Sequence, residues 1–185
     1  MSNLATSLDE LYTYADYLFW DDDGRYEIID GIAYAMSSPT VRHQEISGEL
    51  YGTIWEFLKG KPCRVFAAPF DVRLFPKDNG SDDTVVQPDV LVVCDESKLA
   101  DGEACRGAPD FVVEVVSPST KMIDKFIKKD LYCKAGVKEY WIIGIDKVFT
   151  YVLVDAVNSE TIYEINSSHA SEIPVSVLSG CIIKI

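Results

Sequence analysis

The chain has 185 residues, 48% hydrophobic and 25% charged, which suits one globular domain over 1–185 with a full hydrophobic core. Its net charge of −13, from 17 basic and 30 acidic residues, argues against indiscriminate nucleic-acid binding, which needs basic surface to displace counterions. Asp, Glu or Lys breaks every apolar run well short of the ~18 residues of a membrane span, so no membrane partner is expected.

In chain order, Met1-Ser2-Asn3-Leu4-Ala5-Thr6 has neither a basic start nor a long apolar run, so no signal peptide is expected. Ser7 to Phe19 reads as a first helix, with Ser7 as N-cap and Glu10 closing a capping box. Tyr26 to Met36 reads as a hairpin turning at Asp30-Gly31. A helix follows from Val41 to Lys59, with Ile46, Leu50, Ile54, Phe57 and Leu58 on its apolar face. Strands are expected near Arg64–Ala67, Asp71–Phe75, Thr84–Val93 and Asp110–Val116. Lys121–Ala135 reads as a helix that Gly136 ends, and Lys138–Ile143, Val148–Leu153 and Thr161–Ile165 as further strands. Helices beside many strands indicate an α/β or α+β fold, with helices packed on a mixed sheet. Cys63, Cys94, Cys105, Cys133 and Cys181 are widely spaced with no Cys-x-x-Cys, and read as reduced thiols of a cytoplasmic protein. The acids of Asp21-Asp22-Asp23 and Ser81-Asp82-Asp83 lack the spacing of a calcium loop.

Two carboxylates stand where apolar residues belong. Asp89 interrupts Val85-Val86-Gln87-Pro88-Asp89-Val90-Leu91, and Glu114 interrupts Phe111-Val112-Val113-Glu114-Val115-Val116. Both runs are β-branched and read as strands buried on both faces. An ionised carboxylate there costs several kcal/mol unless a cation satisfies it, and a hard divalent ion prefers such oxygens.

The helix after Thr120 places Lys121, Lys125, Lys128 and Tyr132 on one stripe, with Ile123, Phe126, Ile127 and Leu131 facing away. A solvated lysine face is the plain reading, and the better one for Lys121 and Lys125. Lys128 lies nearest the apolar boundary, so its ammonium is expected at the rim of the sheet. Three further residues have ordinary explanations: His43 as a packing histidine, Glu27 as an exposed strand acid and Gln87 as a backbone partner. Gly-x-Ser-x-Gly, His-Glu-x-x-His and a Gly-rich phosphate loop are absent from the sequence. Two carboxylates, a lysine and water suit metal-assisted attack on a phosphodiester.

The order Gln87-Pro88-Asp89, then Glu114-Val115-Val116-Ser117-Pro118-Ser119-Thr120, then Lys128 with Tyr132, then Ala135 to Ile142 resembles the Uma-two family. That family is grouped with restriction endonucleases in the PD-(D/E)XK nuclease superfamily. Tyr26 to Gly31, Ser38-Pro39 and His43 extend the likeness upstream. The resemblance implies a PD-(D/E)XK core with flanking helices, and a Mg2+ (or Mn2+) ion held by Asp89, Glu114 and the Val115 carbonyl. It implies Asp89, Glu114 and Lys128 as catalytic residues, with Lys128 replacing the lysine usually found two residues after the glutamate, where this chain has Val116. Glu27, His43 and Gln87 support the site, and Lys121, Lys125 and Lys129 are the expected nucleic-acid contacts. Gly144 departs from the family's usual aspartate.

The expected function is a metal-dependent DNA endonuclease, acting as a homodimer because a duplex has two strands to cut. One rival is a nucleic-acid- or protein-binding module that keeps the fold without turnover. Another is a hydrolase of smaller phosphate esters.

Overall fold

A computed structural model describes residues 10–22, 24–116, 127–144, 148–154, 162–168 and 172–184. The first helix, α1 (Tyr14–Tyr17), is a single turn capped by Thr13, with Asp16 completing the capping box. The expected box at Glu10 is therefore displaced, and Ser7 lies outside the described residues. Thr13-x-x-Asp16 supplies both halves of the motif, while the Tyr12 N–H is held by the Gly31 carbonyl at 2.8 Å. Strands β1 (Tyr26–Ile29) and β2 (Ile32–Ala35) form the expected hairpin. Asp30 and Gly31 have φ of 50° and 81°, the pair of positive angles that a tight two-residue turn demands.

Helix α2 (Val41–Leu58) starts where Thr40 accepts the His43 N–H, and buries Leu50, Ile54 and Leu58. Then come β3 (Arg64–Ala67), β4 (Val72–Arg73), β5 (Val85–Val86), β6 (Val90–Val93), β7 (Cys105–Arg106), β8 (Phe111–Val115) and α3 (Lys129–Ala135). Strands β9 (Glu139–Ile143), β10 (Val148–Val154), β11 (Ile162–Ser168), β12 (Glu172–Pro174) and β13 (Ile182–Lys184) follow. The expected Lys121–Ala135 helix is described only in its last part, where a wider π-type turn at 127–128 enters α3 and Gly136, at φ 90°, ends it.

The strands sort into a six-stranded sheet, β11-β10-β9-β8-β6-β3, a five-stranded sheet, β2-β1-β5-β4-β7, and the β12-β13 hairpin. Both larger sheets are mixed, with β8 parallel to β9 and β4 parallel to β7. The expected single strand over Thr84–Val93 is two: β5 belongs to one sheet and β6 to the other. Gln87-Pro88-Asp89 makes the crossing, and Pro88, lacking an N–H, cannot continue a ladder.

Alternation along the central strands explains why whole runs are apolar. Val90, Val92, Val113, Val115 and Trp141 pack with α2 and the C-terminal Ile173, Val175 and Leu178. Leu91, Val93, Val112, Tyr140 and Ile142 pack the other way, against Leu131 and Tyr132 of α3 and residues of the five-stranded sheet. The six-stranded sheet is thus covered on both faces.

Cys63 and Cys94 form a disulfide, which corrects the expectation of five reduced thiols; Cys105, Cys133 and Cys181 keep their thiols. The Arg64↔Val93 pairing of β3 with β6, carried one step on, sets the two cysteines opposite each other. Asp82 is buried and holds the Arg73 guanidinium through Nε at 2.6 Å, so it serves an ion pair and not a cation site. No helix among the described residues is long and apolar enough to cross a membrane.

Candidate active site

The buried Glu114 and the half-buried Asp89 meet because β6 and β8 run antiparallel. The pair Val90↔Val113, extended by one residue, places Asp89 opposite Glu114 on one face of the sheet. Opposite residues on antiparallel strands have Cβ atoms about 4.5–5.5 Å apart. Asp89 Oδ2 accepts the N–H of Val115 at 2.7 Å, so both acids flank a single peptide unit. His43, from the first turn of α2, brings Nε2 to 3.1 Å from the same Asp89 oxygen. The packing histidine of the sequence reading is thus a neighbour of the Asp89 carboxylate.

Glu114 is held from the other side. Lys128 Nζ lies 2.9 Å from Glu114 Oε1, and the Tyr132 hydroxyl, one helical turn further on, donates to that oxygen at 2.8 Å. The same ammonium sits 2.7 Å from Oε1 of Glu27, contributed by the five-stranded sheet. Glu27, Glu114, Lys128 and Tyr132 are all at most 5% exposed. Lys128 is therefore inside the protein, beyond the rim position expected for it. It shares the inner face with Leu131 and Tyr132, which follow it by three and four residues. Burial, reinforced by Glu114 and Glu27, pushes the Tyr132 hydroxyl well above the ordinary tyrosine range. It stays protonated and donates.

Gln87 ties the site to the second sheet. Its N–H is accepted by Glu27 Oε1 at 2.8 Å, and its side-chain amide donates to Asp71 Oδ1 at 2.8 Å and to the Tyr17 hydroxyl at 3.2 Å. Its Oε1 accepts from Arg25 Nε at 3.2 Å and Nη2 at 2.9 Å. Burial raises the Asp71 carboxyl above the usual carboxylate range. So Glu27 is a buried partner of Lys128, not the exposed strand acid of the plain reading. Tyr17, Arg25 and Asp71 were missed. Arg25 carries the one available signal, since it lies two residues before Glu27, where an extended chain points both side chains the same way. Tyr132 was placed on the right stripe without a role.

Of the expected nucleic-acid contacts, Lys129 is half-buried and sits 3.0 Å from Asp130 Oδ1. Lys121 and Lys125 lie outside the described residues. Among the described residues no group of three or more His, Cys, Asp or Glu is arranged to hold a metal ion. The donor chemistry nonetheless fits a hard divalent cation. Asp89, Glu114 and the Val115 carbonyl offer oxygen only, and Mg2+ commonly takes one or two carboxylates and completes its shell with water and substrate oxygens.

The sequence profile of the Uma2 family (Uma-two above), described as "Putative restriction endonuclease", matches residues 12–175. The protein slr1290 of Synechocystis sp. (strain ATCC 27184 / PCC 6803 / Kazusa), described as uncharacterized, is 31% identical over 119 residues. That match covers 63% of this chain and only 60% of the relative's own length. A crystal structure from Anabaena variabilis ATCC 29413, described as "a putative nuclease belonging to DUF820", superposes with a TM-score of 0.67. It shares 21% identity and covers 91% of each chain, a likeness of fold.

Proposed function

We propose, for a chain that belongs to the Uma2 family, that it is a divalent-metal-dependent endonuclease hydrolysing the phosphodiester bonds of DNA. The observation that carries this reading is the convergence of Asp89, Glu114 and Lys128 from the entry to β6, from β8 and from the entry to α3. Asp89, Glu114 and the Val115 carbonyl would hold Mg2+ or Mn2+. When bound, such an ion supplies a Lewis-acidic charge and a water of lowered pKa.

The chain's own groups do the rest. His43 and the Val115 N–H fix the orientation of Asp89, and the Tyr132 hydroxyl fixes Glu114. The Lys128 ammonium donates toward a phosphate oxygen and opposes the negative charge that grows there in the transition state. Glu27 holds that ammonium in place, and Gln87 holds Glu27. A homodimer would present two such sites to the two strands of a duplex, and light scattering at micromolar concentration tests it: a monomer removes that part of the reading.

The test of chemistry is cleavage of supercoiled plasmid and single-stranded DNA with Mg2+ or Mn2+, beside calorimetric titration of Mn2+. Asp89→Ala and Glu114→Ala should each lose metal binding and cleavage together. Lys128→Ala should keep metal affinity, or raise it slightly, while cleavage falls by roughly 10²-fold or more. Unchanged cleavage by Lys128→Ala would remove the lysine's role. A specific observation also favours the silent binding module: both carboxylates already have protein partners, Asp89 in Val115 and His43, Glu114 in Lys128 and Tyr132. DNA binding by the wild type without cleavage in either metal would select that reading.

A further inference from the structure

The five arginines of the chain are all described, and Arg25 stands apart from the others. Arg42, Arg73 and Arg106 pair with Glu45, Asp82 and Asp78, and Arg64 is exposed over the ring of Phe66. Arg25 is half-buried and makes no ion pair with any described residue. Its Nε and Nη2 both rest on the neutral Oε1 of Gln87. The Asp71 carboxylate feels this charge through space without bonding to it, so the guanidinium has no direct anionic partner among the described residues. Asp71 lies across the same amide, bonded to the opposite end of Gln87.

The position is next to the site. Arg25 immediately precedes β1, and its carbonyl accepts the Met36 N–H at 2.8 Å, so the hairpin pairing runs on through it. Two residues from Glu27, it faces the same side, about 7 Å away. Its guanidinium rests on the side chain of Gln87, two residues before Asp89. Gln87 joins the two functions, receiving the Arg25 fork on its side chain and giving its N–H to Glu27. The guanidinium is thus pre-oriented, with Nη1 left over as a donor.

We infer that Arg25 is a substrate-anchoring residue, which grips a phosphate of the nucleic-acid backbone beside the one cleaved. This rests on the nuclease reading for the identity of the anion. On a protein of net charge −13, one fixed cation beside the site would also set the register of the bound backbone.

The test measures binding, not turnover. A fluorescein-labelled DNA oligonucleotide is titrated in chelator, across a sodium chloride series, with wild type, Arg25→Met and Arg25→Lys. Arg25→Met should weaken binding about tenfold and lower the slope of log affinity against log salt by about one, the mark of one lost phosphate contact. Arg25→Lys should keep the slope with weaker affinity, having the charge without the fork. In a second arm, inorganic phosphate should raise the wild-type Tm and leave Arg25→Met unmoved. Equal oligonucleotide affinity and slope in wild type and Arg25→Met overturns the inference while leaving a nucleic-acid substrate standing. Phosphate stabilisation that needs Arg25, without oligonucleotide binding, supports the anion site and removes the nuclease reading. A lowered Tm in both variants with the slope unchanged assigns Arg25 a purely structural role and overturns the inference. So does a wild type that responds to neither probe.

Discussion

At Lys128 two buried carboxylates, Glu27 and Glu114, share one buried ammonium. Removing the cation leaves both acids without it, and breaking a buried ion pair in this way costs about 3–5 kcal/mol. Lys128→Met is therefore expected to lose about that much unfolding free energy in urea with chelator present, and Mn2+ should restore part of it. A variant as stable as the wild type in chelator would show that the ammonium is not what balances these acids. Glu139 presents a different case. Its carboxylate accepts from Trp141 Nε1 at 2.8 Å and the Val177 N–H at 2.9 Å, yet burial still raises its pKa. A raised value in the folded state means its contribution is full below the ordinary glutamate pKa and is lost as pH rises through the folded one. Relative to Glu139→Gln, the wild type should lose stability as pH is raised from about 4 towards 8. A constant difference between the two proteins across that range would contradict the assignment.

Among the elements, edge strand β3 is held in two ways, by its ladder to β6 and by the Cys63–Cys94 disulfide at the end remote from Asp89. The bridge spans a sequence separation of 31 residues, a loop whose closure in the unfolded chain corresponds to about 3–4 kcal/mol. A dithiol reductant should lower the stability of the wild type by roughly that amount, read by urea unfolding with and without it. Five titratable thiols in the native, unreduced protein would rule the bridge out. The first hairpin and α2 depend on local chemistry instead. Gly31 provides a φ of 81° that other residues reach only with strain, and Thr40 satisfies an otherwise unpaired N–H at the start of α2. The start of α2 also delivers His43 to Asp89, so a capping residue indirectly sets the geometry of the site.

For the molecule as a whole, the site lies where the two sheets meet, and each contributes to it. The six-stranded sheet brings Asp89 and Glu114; the five-stranded sheet brings Glu27 and the Gln87 network. The C-terminal segment seals the α2 side of the core with Ile173, Val175, Leu178, Cys181 and Ile183. Each such apolar side chain stabilises by about 1.5–3 kcal/mol, which together rivals the ~5–15 kcal/mol of a whole domain. Deleting residues 172–185 should therefore abolish cooperative unfolding in a calorimetric scan. A truncated protein with a sharp transition near the wild-type Tm would show that this segment is dispensable.

Much of this was legible in one dimension because its causes are local. Asp30-Gly31 specifies its turn, Thr40 and an apolar stripe specify α2, and an acid inside a β-branched run announces itself at Asp89 and Glu114. Length and order also sufficed for the mixed α/β class. Partner choice was not legible. That Lys128, Tyr132 and Glu27 converge around Glu114, that Cys63 meets Cys94, that Gln87-Pro88-Asp89 passes from one sheet to another, and that Arg25 stands beside the site all depend on strand register. Register is settled only when both faces of both sheets find their cores at once, since a one-residue slip would turn every side chain to the opposite face. The sequence by itself determined which residues had to be buried with charge; the tertiary structure decided which charges they would face.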